Sequence, residues 1–75
     1  MNITVKAGSW ALRYVGETPR NIELEDGASV ADAIAAIGLP ADEAGILTVD
    51  GKIVPRQHKL GEGETLKIHP VIIGG

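Results

Sequence analysis

The sequence predicts an α+β domain in which one amphipathic helix lies across a single mixed sheet. Three observations lead there. Short stretches of alternating apolar residues open and close the chain, around Ile3 and Val5 and around Leu66 and Ile68. Between them Val30, Ile34 and Ile37 recur at helical spacing, padded by Ala33. Asp50 and Gly51, flanked by apolar stretches, have the chemistry of a type I′ hairpin turn, whose two central residues both need positive φ.

Residues 2–6 alternate as a half-buried strand, with Ile3 and Val5 on one face. A connection over residues 7–20 is broken by Gly8, Gly16 and Pro19, and its middle, residues 10–15, reads as one short helical turn with Leu12 tucked inward. Residues 21–24 alternate again, with Ile22 and Leu24 as the buried pair. Glu25, Asp26 and Gly27 form a turn. Ser29 then suits an N-cap, and Asp32 stands three positions on, where a capping-box acid favours the positive end of a helix. The helix should run about ten residues, with Gly38 free to take the left-handed C′ conformation and Pro40 forbidding continuation. Residues 46–49 and 52–54 flank the Asp50 turn as a hairpin, Leu60 is an isolated apolar anchor, and residues 61–64 turn the chain again. Residues 65–69 make the last strand, with Leu66 and Ile68 inward, and Pro70 ends it.

The resulting order, β-β-α-β-β-β, at this length is that of the β-grasp, the ubiquitin-like roll. Its first and last strands would be central and parallel, so that the chain leaves the sheet from the middle of one edge. Residues 1–75 are expected to form one domain, with residues 71–75 as a presented C-terminal tail.

Composition narrows the function. A chain of 75 residues without cysteine has neither disulfides nor thiolate metal sites to brace it, so packing of aliphatic side chains must hold the fold. Only His58 and His69 offer imidazoles, they are isolated in sequence, and surface structural roles suit them better than metal binding or catalysis. No metal site is expected. The net charge of −3 comes from interleaved acidic and basic residues, with no basic cluster of the kind nucleic acid requires. Such a mildly acidic surface suits a basic partner, and it equally just keeps a domain soluble. No apolar run approaches the ~20 residues of a membrane span, and the first residues lack the pattern of a signal peptide, so a cytoplasmic protein without membrane or nucleic-acid partners is expected.

Catalytic candidates inside the domain are poor. Ser29 is explained as a cap, and the glycine-rich residues 61–64 carry Glu62 and Glu64, which would repel a phosphate. The end of the chain is different. Two glycines at the last two positions arise by chance in roughly 0.5% of chains. Lacking Cβ, Gly74 and Gly75 can pass through a narrow tunnel in backbone conformations closed to other residues. Five residues beyond Pro70 reach at most ~17 Å, enough to enter a partner's buried site while the domain stays outside. Val71, Ile72 and Ile73 lie beyond the last predicted strand, where a plain solvated tail would be polar. Ile73 fits an interface best; Val71 suits either an interface or a prolonged strand.

These residues carry a resemblance. VDGKIVPR at residues 49–56 and LGEGETLKIHPVIIGG at residues 60–75 are similar to the corresponding blocks of the MoaD/ThiS sulfur-carrier family, ubiquitin-like proteins that end in Gly-Gly. The resemblance covers essentially the whole chain. It implies that a ubiquitin-activating-like adenylyltransferase, using its own ATP and Mg²⁺, adenylates the Gly75 carboxylate, and that a sulfur donor such as a cysteine desulfurase converts it to a thiocarboxylate. It also implies that Gly74, Ile73, Ile72 and Val71 bind the partners and that the chain itself holds no cofactor. The protein would then be a carrier rather than an enzyme, or the small subunit of a molybdopterin synthase. Leu12, Arg13 and Gly16, with the approach through Pro70 and Val71, resemble the molybdopterin-type branch; IVPR at residues 53–56 resembles the thiamine type. The balance favours sulfur delivery to the large subunit of molybdopterin synthase, with thiazole synthase as the alternative.

Two other classes compete. A ubiquitin-like modifier would use the same activated Gly75 to form an amide with a lysine. A β-grasp binding module would be indifferent to any change at Gly75.

Overall fold

The computed structural model describes residues 1–72. Its five strands are β1 (Asn2–Ala7), β2 (Arg20–Glu23), β3 (Ala44–Val49), β4 (Lys52–Ile53) and β5 (Thr65–Pro70), and its helices are α1 (Leu12–Val15) and α2 (Val30–Ala36), with 3-10 turns at Ser9–Ala11 and Ala41–Glu43. The sheet order is β2-β1-β5-β3-β4. The first and last strands pair in parallel at its centre, Val5 opposite Leu66 and Ala7 opposite Ile68, while every other pairing is antiparallel. This is the β-grasp arrangement expected from the element order.

One face of the sheet carries the core. Ile3, Val5, Leu47, Val49, Leu66 and Ile68 point to it, and Val30, Ala33 and Ile34 of α2, with Ile37 just past its end, cover them. Leu60 is buried as the anchor its isolation suggested. Among the described residues no polar or charged side chain is buried, so the core makes no demand for internal hydrogen bonds.

The local signals hold where the chemistry is local. Ser29 Oγ accepts from Asp32 N at 3.2 Å, and Asp32 Oδ2 accepts from Ser29 N at 2.8 Å, completing the capping box. Asp50 and Gly51 take φ of 49° and 86°, both left-handed, as the type I′ turn requires. Gly38 also sits at positive φ and stops α2, which spans seven residues, shorter than expected, with Ile37 as its cap.

Two expectations need correction. Leu12 is 49% exposed, and Ala11 and Val15 are buried instead. The 3-10 turn runs into a single α-turn, and residues four apart share its inner face, which leaves Leu12 on the outer side. Ile22 and Leu24 are half-buried and not fully enclosed. They lie on or just beyond β2, an edge strand with a neighbour on one side only.

β3 also begins earlier than predicted, because it contains a bulge. Ala44 pairs with Pro70 and Leu47 with Ile68, so Gly45 and Ile46 together face His69 alone. In a regular strand residues 44 and 47 would point to opposite faces; the extra residue resets the phase, and both are buried.

Two outcomes follow from this packing. Ile68→Ala should destabilise the domain by ~2–5 kcal/mol in denaturant unfolding, since a fully enclosed side chain leaves a cavity at the centre of the sheet. The hydrogen bonds from Ser29, backbone first and then hydroxyl, hold the Asp32 carboxyl below its ordinary value, with Lys59 assisting. A depressed carboxylate contributes stability above its unfolded-state value and loses that contribution as pH falls through the folded value. Unfolding curves of Asp32→Asn and the native chain should therefore differ at neutral pH and converge in acid.

Candidate functional site

Among the described residues, none covers the face of the sheet turned away from α2. Strand alternation puts Thr4 and Lys6 of β1, Thr65, Lys67 and His69 of β5, Ile46 and Thr48 of β3, and Ile53 of β4 on it. The polar phase of these strands is interrupted at one corner. Ile46 is 51% exposed and Ile53 76% exposed, and beside them Val71 and Ile72, beyond the end of β5, are 46% and 82% exposed. Leu12 apart, these are the large apolar side chains the described residues expose.

The four belong to one surface. They line an open groove of about 580 Å³ together with Gly45, Thr48, His69 and Pro70. Its near wall is β3 and β4; its far wall is the root of the tail. Thr48 lies opposite Ile53 across the hairpin, which brings the two strands' contributions side by side. The type I′ turn at Asp50 fixes that register. Lys6 and Lys67 are exposed and directly opposed in the central parallel pair, adjoining the groove's strand face. Although the whole chain is acidic, this face is not.

Of the residues singled out in the sequence, Val71 and Ile72 are placed at the groove, outside the last strand, which decides Val71 in favour of exposure over a prolonged strand. Ile73, Gly74 and Gly75 lie outside the described residues. His69 is half-buried in the groove wall. His58 is half-buried elsewhere, and its carbonyl accepts the first helical N–H of α2, from Val30, at 2.9 Å. No group of three or more His, Asp or Glu residues among those described converges as a metal site.

Sequence reasoning missed Ile46 and Ile53 as surface groups. For Ile46 the signal was present, since it falls in the phase opposite to Leu47 and Val49, where an alternating strand places polar residues; Ile53 joins that phase only through its pairing with Thr48.

Comparison with known proteins bears on this geometry. The family model described as Mut7-C ubiquitin matches residues 17–73, about three quarters of the chain. The chain belongs to this family. Solved structures agree on the fold. SAMP1 from Haloferax volcanii superposes with a TM-score of 0.78 at 17% identity over 100% of both chains. A crystal structure described as H. volcanii small archaeal modifier protein 1 gives 0.77 at 15%, covering 95% of this chain and 98% of the other. A putative molybdopterin converting factor, subunit 1, from Pyrococcus furiosus gives 0.76 at 21%, with the same coverage. No curated protein matches. The ubiquitin-like family and the β-grasp fold that the resemblance implied are thus borne out. No helix among the described residues is long and apolar enough to cross a membrane.

Like charges placed directly opposite each other weaken a sheet. Lys67→Thr should raise the stability of the isolated domain by ~0.2–1 kcal/mol, measured by thermal unfolding at low salt, and added salt should shrink the difference.

Proposed function

We propose that the protein is a sulfur carrier whose working group is the Gly75 carboxylate, presented to partners that dock on the adjoining groove. The observation that carries this reading is the continuity of the groove with the tail: exposed Ile46 and Ile53 meet exposed Val71 and Ile72 where the chain leaves the central strand. An apolar surface at that place has no use in packing the domain, and it suits a protein partner that receives the tail. The opposed Lys6 and Lys67 favour acidic groups on that partner's rim.

The chemistry fits the chain. A carboxylate acylates poorly. In the partner's site a Gly75 carboxylate oxygen attacks the α-phosphorus of ATP, and pyrophosphate leaves with the electrons of the broken bond. A donor at the hydrosulfide level then adds its sulfur to the carbonyl carbon, AMP leaves, and a thiocarboxylate remains. ATP and Mg²⁺ belong to the activating enzyme, and the carrier needs no cysteine of its own, which agrees with a cysteine-free sequence. The family and the likeness to a molybdopterin converting factor subunit favour delivery to the larger subunit of a molybdopterin synthase. Thiazole synthesis is the alternative acceptor.

A second reading has its own support. One of the similar structures is of a protein named a modifier, and a modifier's activated glycine forms an amide with lysine. The first chemical step is the same in both.

Incubated with a ubiquitin-activating-type enzyme, ATP, Mg²⁺ and a sulfide donor, the chain should gain the mass of one oxygen-to-sulfur exchange at Gly75. Deleting Gly75, or adding one residue after it, should abolish the gain with the melting curve unchanged. The reason is positional: one residue displaces the reacting carbon by over ~3 Å, and ~1 Å already costs ~100-fold. Equal adenylation of the altered chains would refute the carboxylate as working group. An amide to lysine with no thiocarboxylate would replace the carrier by the modifier.

A further inference from the structure

Gly45 is the first bulged residue of β3, opposite the point where the chain leaves the sheet. A Cβ built on it would lie 2.4 Å from the carbonyl oxygen of Pro70, 2.7 Å from its carbonyl carbon and 2.9 Å from the nitrogen of Val71. All three atoms belong to one peptide unit, the link between the last strand residue and the tail. Gly45 does not have positive φ, so backbone conformation does not demand glycine here; space does. The other described glycines whose added Cβ approaches a neighbour within 3.5 Å meet only side-chain atoms, which can turn aside. At Gly45 the obstacle is main chain and cannot.

The position of this contact matters more than its closeness. Pro70 fixes its own φ near −65°, and the bare α-carbon of Gly45 lets the Pro70–Val71 peptide settle against β3. Val71 and Ile72 are thereby brought beside Ile46, the residue that follows Gly45, and the groove becomes one surface rather than two. A partner that grips Ile46 and Ile53 then receives the tail from a fixed starting point.

We infer that Gly45 is a positioning residue for the tail: its missing side chain holds the Pro70–Val71 peptide against β3 and sets where the chain departs from the docking groove. This rests on the proposed role of Gly75 for its consequence, though not for its geometry, and the two are tested separately. In the free protein, methyl NOEs should connect Ile46 with Val71. In Gly45→Ala they should be lost, while those among Ile3, Leu66 and Ile68 remain. With the activating enzyme, Gly45→Ala should lower kcat for adenylation by ~10–100-fold with KM held within ~3-fold, because the domain docks but delivers its carboxylate off target. Ile53→Ala should do the reverse, raising KM with little change in kcat. Pro70→Ala introduces no clash at an exposed strand end and frees the pivot from the other side. It should lower kcat by ~3-fold or more, and it carries the test if Gly45→Ala does not fold.

Retention of the Ile46–Val71 NOEs in Gly45→Ala would overturn the geometric claim whatever the enzyme does. Loss of those NOEs with kcat unchanged, or a change confined to KM, would overturn the positioning role. Should the native chain not be adenylated at all, the carboxylate reading falls, and the NOEs alone decide how Gly45 holds the tail root.

Discussion

The protein has one apolar layer, and everything else is arranged around filling it. A chain this short, without a disulfide, cannot build cores on both faces of a sheet. It therefore puts its aliphatic residues between α2 and one face, and its capping box, turns and bulge serve to close that layer. Ser29 and Asp32 start the helix where Val30 can enter the core; the Asp50 turn folds β4 back in register; the bulge at Gly45 and Ile46 lets Ala44 and Leu47 both face inward. The second face is left over by this arrangement. Most of it is polar, and the apolar corner on it has no part in filling the layer.

Much of this could be read from the residues alone, and the division is instructive. The helix, its cap, the type I′ turn and the inward pairs of β1 and β5 are governed by interactions within a few residues, or by simple alternation, and they were visible. The central parallel pairing followed from element order. What escaped depended on small changes of phase. A 3-10 turn running into an α-turn put Val15 and not Leu12 in the core, and one extra residue in β3 moved the strand's start and its facing. Periodicity read along a sequence assumes a constant phase, and nothing in the residue types around Gly45 announces the slip.

The site was legible to a similar degree. Val71 and Ile72 stood out because apolar residues past a strand-ending proline have no local purpose. Ile46 and Ile53 did not stand out: Ile46 adjoins buried Leu47, and Ile53 sits beside half-buried Val54 in a two-residue strand. Only pairing β3 with β4 and β5 places them on the same side as the tail root. An apolar groove assembled from three separated segments is a property of topology, and it becomes visible when the register is known.

The parallel pairing at the centre of the sheet has a consequence for how the protein comes into being. β1 finds its second neighbour only when β5 arrives, some sixty residues later along the chain. Until then the hairpin of β1 and β2 offers an open edge, and α2 has half a floor to rest on. Contacts of such long range make for slow closure, and during synthesis closure waits until β5 has been made. The strand that completes the fold is also the strand from which the tail departs. Completion of the core and of the groove are thus tied to one event: a nascent or shortened chain lacking β5 has neither, and a partner docking as proposed would meet the groove only on a folded domain.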